Sequence, residues 1–339
     1  MIEKRKYDTV FFTYPVVDLI APFQSSFPIN ANNTYLIDTI QNEPGGPANI
    51  LIMGKRIGLN ILPVGIVGDD FYGRFLLSEY KKEGIDDSNI IVKPEFETRK
   101  AIVLVDENGN HAFVSMVEGI ITSFKNAEEL IRNSKSLCFS GYYVTTETMR
   151  EEYMRLMRLA KSNSNLIFFD PGPLVKFIPK NCIEEILESS TVTLLNESEA
   201  YAISALTDVE KSASFISSMT SGLVVVKTGE RGCYIYSKNH NLGNWYDGFK
   251  VKMVDTTAAG DAFWAAFMHG YISGWDLETV ARFSNAVGAA KVQKFGSGTK
   301  VPTFDEIVCV LEEGGFNIPE INKKDRNFNK LILHRCKAI

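Results

Sequence analysis

Short apolar runs alternate with helical patterns through the middle of this chain: Leu137–Ser140, Glu147–Lys161, Leu166–Asp170, Cys182–Glu188, Val192–Leu195 and Glu197–Leu206 follow in order. A strand followed by a helix re-enters its sheet parallel to the previous strand, so this rhythm predicts a largely parallel, buried sheet and an α/β fold. Thr9–Thr13 reads as the first strand. Ligands of such sheets sit beyond the carboxyl ends of the strands. Gly141, Asp170 and Asn196, just after three of the runs, are therefore expected to line one cleft.

Two segments break the rhythm. Asn32–Asp38, and the pair Lys100–Val105 and His111–Val117 joined by Asp106-Glu107-Asn108-Gly109-Asn110, read as a small antiparallel flap, with Asn-Gly marking a tight hairpin. The chain has 339 residues, 45% of them hydrophobic and 23% charged, enough for one large α/β domain with an appendage. With 36 basic and 41 acidic residues the net charge is -5, which offers no global attraction to nucleic acid or to an anionic membrane. No apolar stretch approaches the ~18 residues a membrane helix requires, and after Lys4-Arg5-Lys6 the run at Val10 is cut by Pro15 and Asp18 rather than ending in a cleavage site. Cys138, Cys182, Cys233, Cys309 and Cys336 are scattered without metal-ligand spacing, so neither a disulfide framework nor a zinc site is expected and a reducing cytoplasm fits.

The chemistry is concentrated in Val254-Asp255-Thr256-Thr257-Ala258-Ala259-Gly260-Asp261-Ala262-Phe263. Ala258, Ala259 and Gly260 carry almost no side chain, so backbone N–H groups at a helix start can close around a phosphate. Asp261, in the first turn, faces the same pocket and can take the proton of a hydroxyl that attacks a phosphoryl group. A plain helix cap would use the same residues. Far upstream, Gly45-Gly46-Pro47-Ala48-Asn49 precedes Gly58, Gly65, Gly68-Asp69-Asp70 and Gly73. Gly45 and Gly46 let backbone approach a ligand closely, and Asn49 offers a donor and an acceptor that suit vicinal hydroxyls. Asp69 and Asp70 read as the cap of a helix from Phe71 to Glu79.

These two segments, in this order, resemble the N-terminal motif and the D-T-x-G-A-G-D motif of ribokinase-like (PfkB) carbohydrate kinases, and the resemblance runs from about Tyr7 to Phe316. It implies a three-layer α/β/α fold with a mainly parallel sheet, a kinase domain over 7–316, and a small β-sheet lid from about 14–42 and 96–118 that covers the sugar and often pairs with the lid of a second subunit. Asp18 matches an acid that accepts from two neighbouring sugar hydroxyls, beside Gly45, Gly46 and Asn49. Asn196 and Glu199, as N-x-x-E, would organise Mg²⁺ and the phosphates of ATP. Lys227-Thr228-Gly229-Glu230-Arg231-Gly232 corresponds to the nucleotide turn, and Asn285 and Gly288 to the adenine wall. Asp255, Thr257 and Gly296 correspond to the edge of a monovalent-cation site, for K⁺.

The sequence departs from the family in three places. Ala258 and Thr13 stand where glycine is usual, and Asp170-Pro171-Gly172-Pro173-Leu174 lacks the amide and arginine of the Asp-x-Asn-x-Arg stretch common in fructokinases and 2-keto-3-deoxygluconate kinases. Loss of that planar cation points to a neutral ketose or pentose over an acidic sugar, unless Lys176 or Arg99 takes its place. The expected activity is transfer of the γ-phosphate of ATP to a primary hydroxyl of a small sugar such as fructose. A 2-keto-3-deoxygluconate-type kinase, a nucleoside kinase, with Phe23, Phe27, Tyr35 and Phe113 in its acceptor pocket, and a non-catalytic sugar- or nucleotide-binding regulator on the same fold are the alternatives. The segment 317–339, which contains Leu331-Ile332-Leu333, extends past the resemblance as either a docked or an exposed tail.

Overall fold

A computed structural model of the chain describes residues 5–37, 39–116, 123–238, 242–316 and 318. Asp38, Val117 and all of 317–339 except Ile318 lie outside the described residues, so the readings of the lid ends and of the C-terminal tail are not addressed by it.

Seven parallel strands form the body of a nine-stranded sheet. In chain order they are β1 (Tyr7–Phe12), β4 (Ile61–Gly68), β5 (Ile90–Lys93), β8 (Ser134–Ser140), β9 (Leu166–Asp170), β10 (Val192–Asn196) and β11 (Leu223–Lys227). Their order across the sheet is β5-β4-β1-β8-β9-β10-β11, with β12 (Cys233–Ser237) and β13 (Leu242–Tyr246) added antiparallel at one edge. Every residue of β4 is buried, as expected for a strand covered by helices on both faces. The expected strands at 137–140, 166–170 and 192–195 and the helices between them are found within a few residues, as α4 (Glu147–Ser162), α5 (Lys180–Ser189) and α6 (Glu197–Ser204).

The remaining helices are α1 (Pro47–Arg56), α2 (Phe71–Lys82), α3 (Ala127–Arg132), α7 (Val209–Ser217), α8 (Ala259–Ile272), α9 (Leu277–Val292) and α10 (Phe304–Glu313). Helix α8 is apolar around its whole circumference, with Ala262 to Gly270 all buried, because α1 and α9 pack along it. Asp70 caps α2 as expected: its carboxylate accepts from the Gly73 N–H at 2.7 Å and also from the Thr98 N–H at 2.8 Å.

The smaller sheet differs from expectation. It contains β2 (Val16–Pro22), β3 (Gln41–Gly45), β6 (Arg99–Val105) and β7 (His111–Ser115) in the order β3-β2-β6-β7. Residues 32–37 form no strand; their place is taken by β2 and β3, and the β2–β6 pair is parallel, so the lid is a mixed sheet. Its inner face buries Ile20, Val103 and Val105 against Phe295, which seats the lid on the loop after α9. Phe23, Phe27 and Tyr35 pack on one another, with ring centroids 5.2 and 5.9 Å apart, as lid core. Cys138, Cys182 and Cys233 are free thiols, whereas Cys309 is disulfide-bonded, which corrects the expectation of no bridge.

Gly141 marks how closely the strand ends meet at the cleft. A methyl group there would sit 2.1 Å from the Pro171 carbonyl oxygen, a backbone atom that cannot swing away. Gly141→Ala is expected to destabilise the protein by about 1–3 kcal/mol, the usual cost of overpacking. An unchanged midpoint in urea unfolding would contradict this tight approach.

Candidate active site

The carboxyl ends of the strands and the start of α8 enclose one polar cluster. Ala258 is the N-cap of α8 at φ 63°, a left-handed conformation that explains why glycine is usual there and that costs alanine about 1–2 kcal/mol. The N–H of Ala259 turns to the Thr256 carbonyl at 3.2 Å, while those of Ala258, Gly260 and Asp261 have no protein acceptor among the described residues. A helix start of this kind is an anion site in its own right. A cation stands beside it: a Cβ added at Gly260 would lie 3.5 Å from Lys227 Nζ, and Lys227 in turn donates to Asp170 Oδ2 at 2.8 Å.

Asp261 is held from the other side of the molecule. Asn49 Nδ2 donates to Asp261 Oδ2 at 2.8 Å, and Asn49 Oδ1 accepts the Gly298 N–H at 2.6 Å. The amide that reads from sequence as a partner for vicinal hydroxyls thus spends both ends on protein and fixes the carboxylate. Asp18 lies inside β2, opposite Glu43 of β3 and beside Ala101 of β6, and Oδ2 accepts from the Ser297 hydroxyl at 2.6 Å. Gly45 is required here, because a Cβ would fall 2.0 Å from Asp18 Oδ1. Gly46 caps α1 at φ 48°, in the left-handed region that favours glycine.

Asn196 and Glu199 form a reciprocal cap at the start of α6. Glu199 accepts from the Asn196 N–H at 2.7 Å and from Nδ2 at 2.8 Å, while Asn196 Oδ1 accepts the Glu199 N–H at 2.8 Å. Thr228 closes the β11–β12 turn by donating through Oγ1 and N–H to the Gly232 carbonyl, at 3.0 and 2.8 Å. Gly229, at φ 61°, faces open space. Asn285 Nδ2 is engaged with the carbonyls of Tyr246 and Asp247, at 2.9 and 3.1 Å, and so ties down the end of β13. Gly288 sits opposite the start of α8, with its Cβ position 3.9 Å from the Ala259 oxygen.

The cluster holds more negative than positive charge, and its acids show it. Burial pushes Asp261 up to about 6, with Asp170 adding to the shift and the Asn49 amide and Lys227 opposing it. Burial likewise raises Asp18 to about 7, helped by the charges of Asp261 and Glu43 and opposed by Ser297. Glu199 is held well above the carboxylate range by burial and by Asp170. Burial works against the charge of Lys227, but Asp170 and Glu199 outweigh it and raise its pKa. Perturbed acids in one cleft are a mark of a functional site.

The third group, Asp255, Thr257 and Gly296, also converges. Asp255 is fully buried; Oδ1 accepts from the Thr257 N–H at 2.8 Å and hydroxyl at 2.7 Å, and Oδ2 from the Gly296 N–H at 2.8 Å. Ser297 and Gly298, read from sequence with Gly296 as part of the adenine wall and the edge of a cation site, instead partner Asp18 and Asn49. Sequence reasoning missed Tyr142, 40% exposed, whose ring lies 3.0 Å from the Cβ position of Gly172 beside Asp170 and whose hydroxyl pKa is raised by burial and by the charges of Asp261, Asp170, Glu199 and Asp18. An isolated tyrosine carries no signal in sequence. Among the described residues no three His, Cys, Asp or Glu are placed to hold a metal by themselves, and no helix is long and apolar enough to cross a membrane.

Comparison with known proteins agrees with this geometry. The pfkB family carbohydrate kinase pattern matches residues 13–304. The chain is 28% identical over 284 residues to a 5-dehydro-2-deoxygluconokinase of Halalkalibacterium halodurans, covering 79% of this chain and 85% of that one. It is 27% identical over 287 residues to fructokinase-1 of rice, Oryza sativa, covering 79% and 88%. A putative ribokinase II of E. coli, solved with ATP and Mg²⁺, shares the fold with a TM-score of 0.76 at 21% identity, covering 91% of this chain and 99% of that one. This chain belongs to the pfkB family of carbohydrate kinases, phosphotransferases that act on sugars.

Proposed function

We propose that this kinase transfers the γ-phosphate of ATP to a primary hydroxyl of a small neutral sugar, a ketose such as fructose or a pentose, in a single domain spanning 7–316. The observation that carries the reading is Asp261, a buried carboxylate with a raised pKa, fixed by Asn49 at the rim of unpaired helix N–H groups and next to Lys227. The sugar enters between Asp18, Gly45, Gly46 and Asn49, where the absence of a side chain at Gly45 makes room for the Asp18 carboxylate, whose oxygens suit hydroxyl groups. Asp261 takes the hydroxyl proton as the new O–P bond forms, the bond to ADP breaks with its electron pair leaving on ADP, and Lys227 and the N–H groups of Ala258, Gly260 and Asp261 hold the transferring phosphoryl charge. Lys227, Thr228, Gly229 and Gly232 shape the nucleotide side, and Asn285 and Gly288 back it. Asp170, Asn196 and Glu199 would hold the Mg²⁺ that accompanies ATP, through water; the cation offsets charge that Lys227 alone leaves unbalanced. The cytoplasm supplies the ATP this reading requires.

Arg99 gives an acidic sugar acid some support as a second reading. It occupies the same face of the lid as Asp18, two residues from Ala101 in register with it, with its guanidinium carbon 5.3 Å from the centroid of the Phe96 ring. Lys176 lies instead over Phe177, whose ring is largely exposed. ADP release should be measured across fructose, ribose, 5-dehydro-2-deoxygluconate, 2-keto-3-deoxygluconate and adenosine. One neutral sugar is expected to dominate, and Asp261→Asn is expected to bind sugar and nucleotide normally while losing at least ~100-fold in turnover, the usual scale for a general base. Near-normal turnover in that variant would remove Asp261 from the role assigned to it, and preference for a sugar acid would move the substrate to the Arg99 reading.

The lid is also the natural seam of a homodimer. On its outer face Ile102 of β6 and Val114 of the edge strand β7 lie opposite each other in register, 43% and 60% exposed. Apolar residues paired on an exposed sheet face are a usual site of association. Light scattering is expected to show a dimer for the wild type and a monomer for Ile102→Lys combined with Val114→Lys; equal masses for the two would refute a lid interface.

A further inference from the structure

Behind the anion pocket lies a lysine that no part of the mechanism above uses. Lys291, in the last turn of α9, is 0% exposed, and its Nζ donates to the Lys294 carbonyl at 2.9 Å. Lys294 stands two residues before Gly296, whose N–H binds the buried Asp255. From the other side, the N–H groups of Val254 and Asp255 both donate to the Val292 carbonyl, at 2.7 and 3.1 Å. The ammonium is thus locked between the segment that leads into the anion pocket and the loop that carries Ser297 and Gly298. Asp255 acts electrostatically on it, and the other ionisable groups around the pair are His111, on β7, and Lys294, which is engaged with Glu306 at 2.9 and 3.0 Å.

A buried ammonium is costly unless a buried counter-charge requires it. Asp255 is that counter-charge. It is fully buried, its hydrogen bonds come only from neutral donors, and it lies three residues before an N-cap that must accept phosphate. Left uncompensated, its charge would oppose an incoming anion. The family resemblance places a K⁺ ion here, held by oxygens of Asp255, Thr257 and the loop at Gly296. The residues present do not suit it: both oxygens of Asp255 already accept from Thr257 and Gly296, and the Lys294 carbonyl is occupied by an ammonium of the same charge and similar size to K⁺.

We propose that the Lys291 ammonium is a built-in replacement for the monovalent cation, so that the phosphate pocket keeps its shape and charge balance without K⁺. Lys291 is then a positioning residue that acts through Asp255 and the 294–298 loop, and the inference rests on the kinase reading only for the role of the pocket. The test compares potassium chloride with tetramethylammonium chloride at equal ionic strength, reading both ADP release and the thermal shift produced by Mg-ATP. In the wild type both readouts are expected to agree between the salts within about twofold, a difference of less than half a kcal/mol. Lys291→Ala is expected to lose at least ~10-fold in turnover in tetramethylammonium, and its Mg-ATP shift with it, because a buried charge has lost its partner. Potassium or ammonium ions should restore both, and should raise the melting temperature of this variant but not of the wild type.

Two results would overturn the proposal: a wild type that binds Mg-ATP or turns over only in potassium, or a Lys291→Ala protein indifferent to the salt. Should the alanine variant not fold, the wild-type comparison decides alone. Should no acceptor be found, the Mg-ATP shift still separates the cation question from the identity of the reaction.

Discussion

The hydrogen bond from Asn49 to Asp261 is the contact on which the rest of the site depends. It joins α1, which follows the glycines beside the lid, to the first turn of α8. Through Gly298 the same amide also fixes the loop after α9. One side chain therefore sets the distance between the place for an acceptor and the helix start suited to a phosphate. The lid is latched to the same loop, where Glu43 accepts from the Thr299 hydroxyl at 2.6 Å and N–H at 3.2 Å. Gly298 leaves no room for a side chain, since a Cβ would fall 2.2 Å from the Pro44 carbonyl oxygen.

Charge is the second constraint. Asp18, Asp170, Glu199 and Asp261 converge on a cleft where Lys227 pairs with Asp170. Burial without full compensation raises the pKa of the acids, and a base raised to about 6 is strong enough to accept a hydroxyl proton yet deprotonated at neutral pH. The cluster is thus poised for a ligand that brings its own cations, as ATP does with magnesium. Behind the pocket, Lys291 balances Asp255 in the same way from within the chain.

Much of this was legible because it is local. The alternation of strand and helix, the small residues around Gly260 and the cap at Asp70 are written in short windows of sequence, and they appear where those windows place them. The lid was misread for a physical reason. Strand β3, Gln-Asn-Glu-Pro-Gly, has no residue that favours a strand, and it exists because β2 lies beside it; β2 in turn pairs in parallel with β6, eighty residues on in the chain's order, by tertiary contact. Ser297 with Asp18, Gly298 with Asn49 and Lys227 with Asp170 are likewise unions of segments far apart in the chain, invisible to spacing. Lys291 reads in sequence as an ordinary helix-end lysine, and only its burial reveals it.

The pH dependence of turnover tests the central claim most directly. With Asp261 as the base, kcat/KM for the best sugar should fall steeply as the pH drops through about 6 to 7, since protonation removes its capacity to accept the hydroxyl proton while Asp18, raised to about 7, titrates alongside it. The residual turnover of an Asp261→Asn protein should lack the lower limb. A wild-type profile that stays flat from pH 8 down to about 5, where a carboxylate raised to about 6 is mostly protonated but an ordinary one is not, would contradict the account.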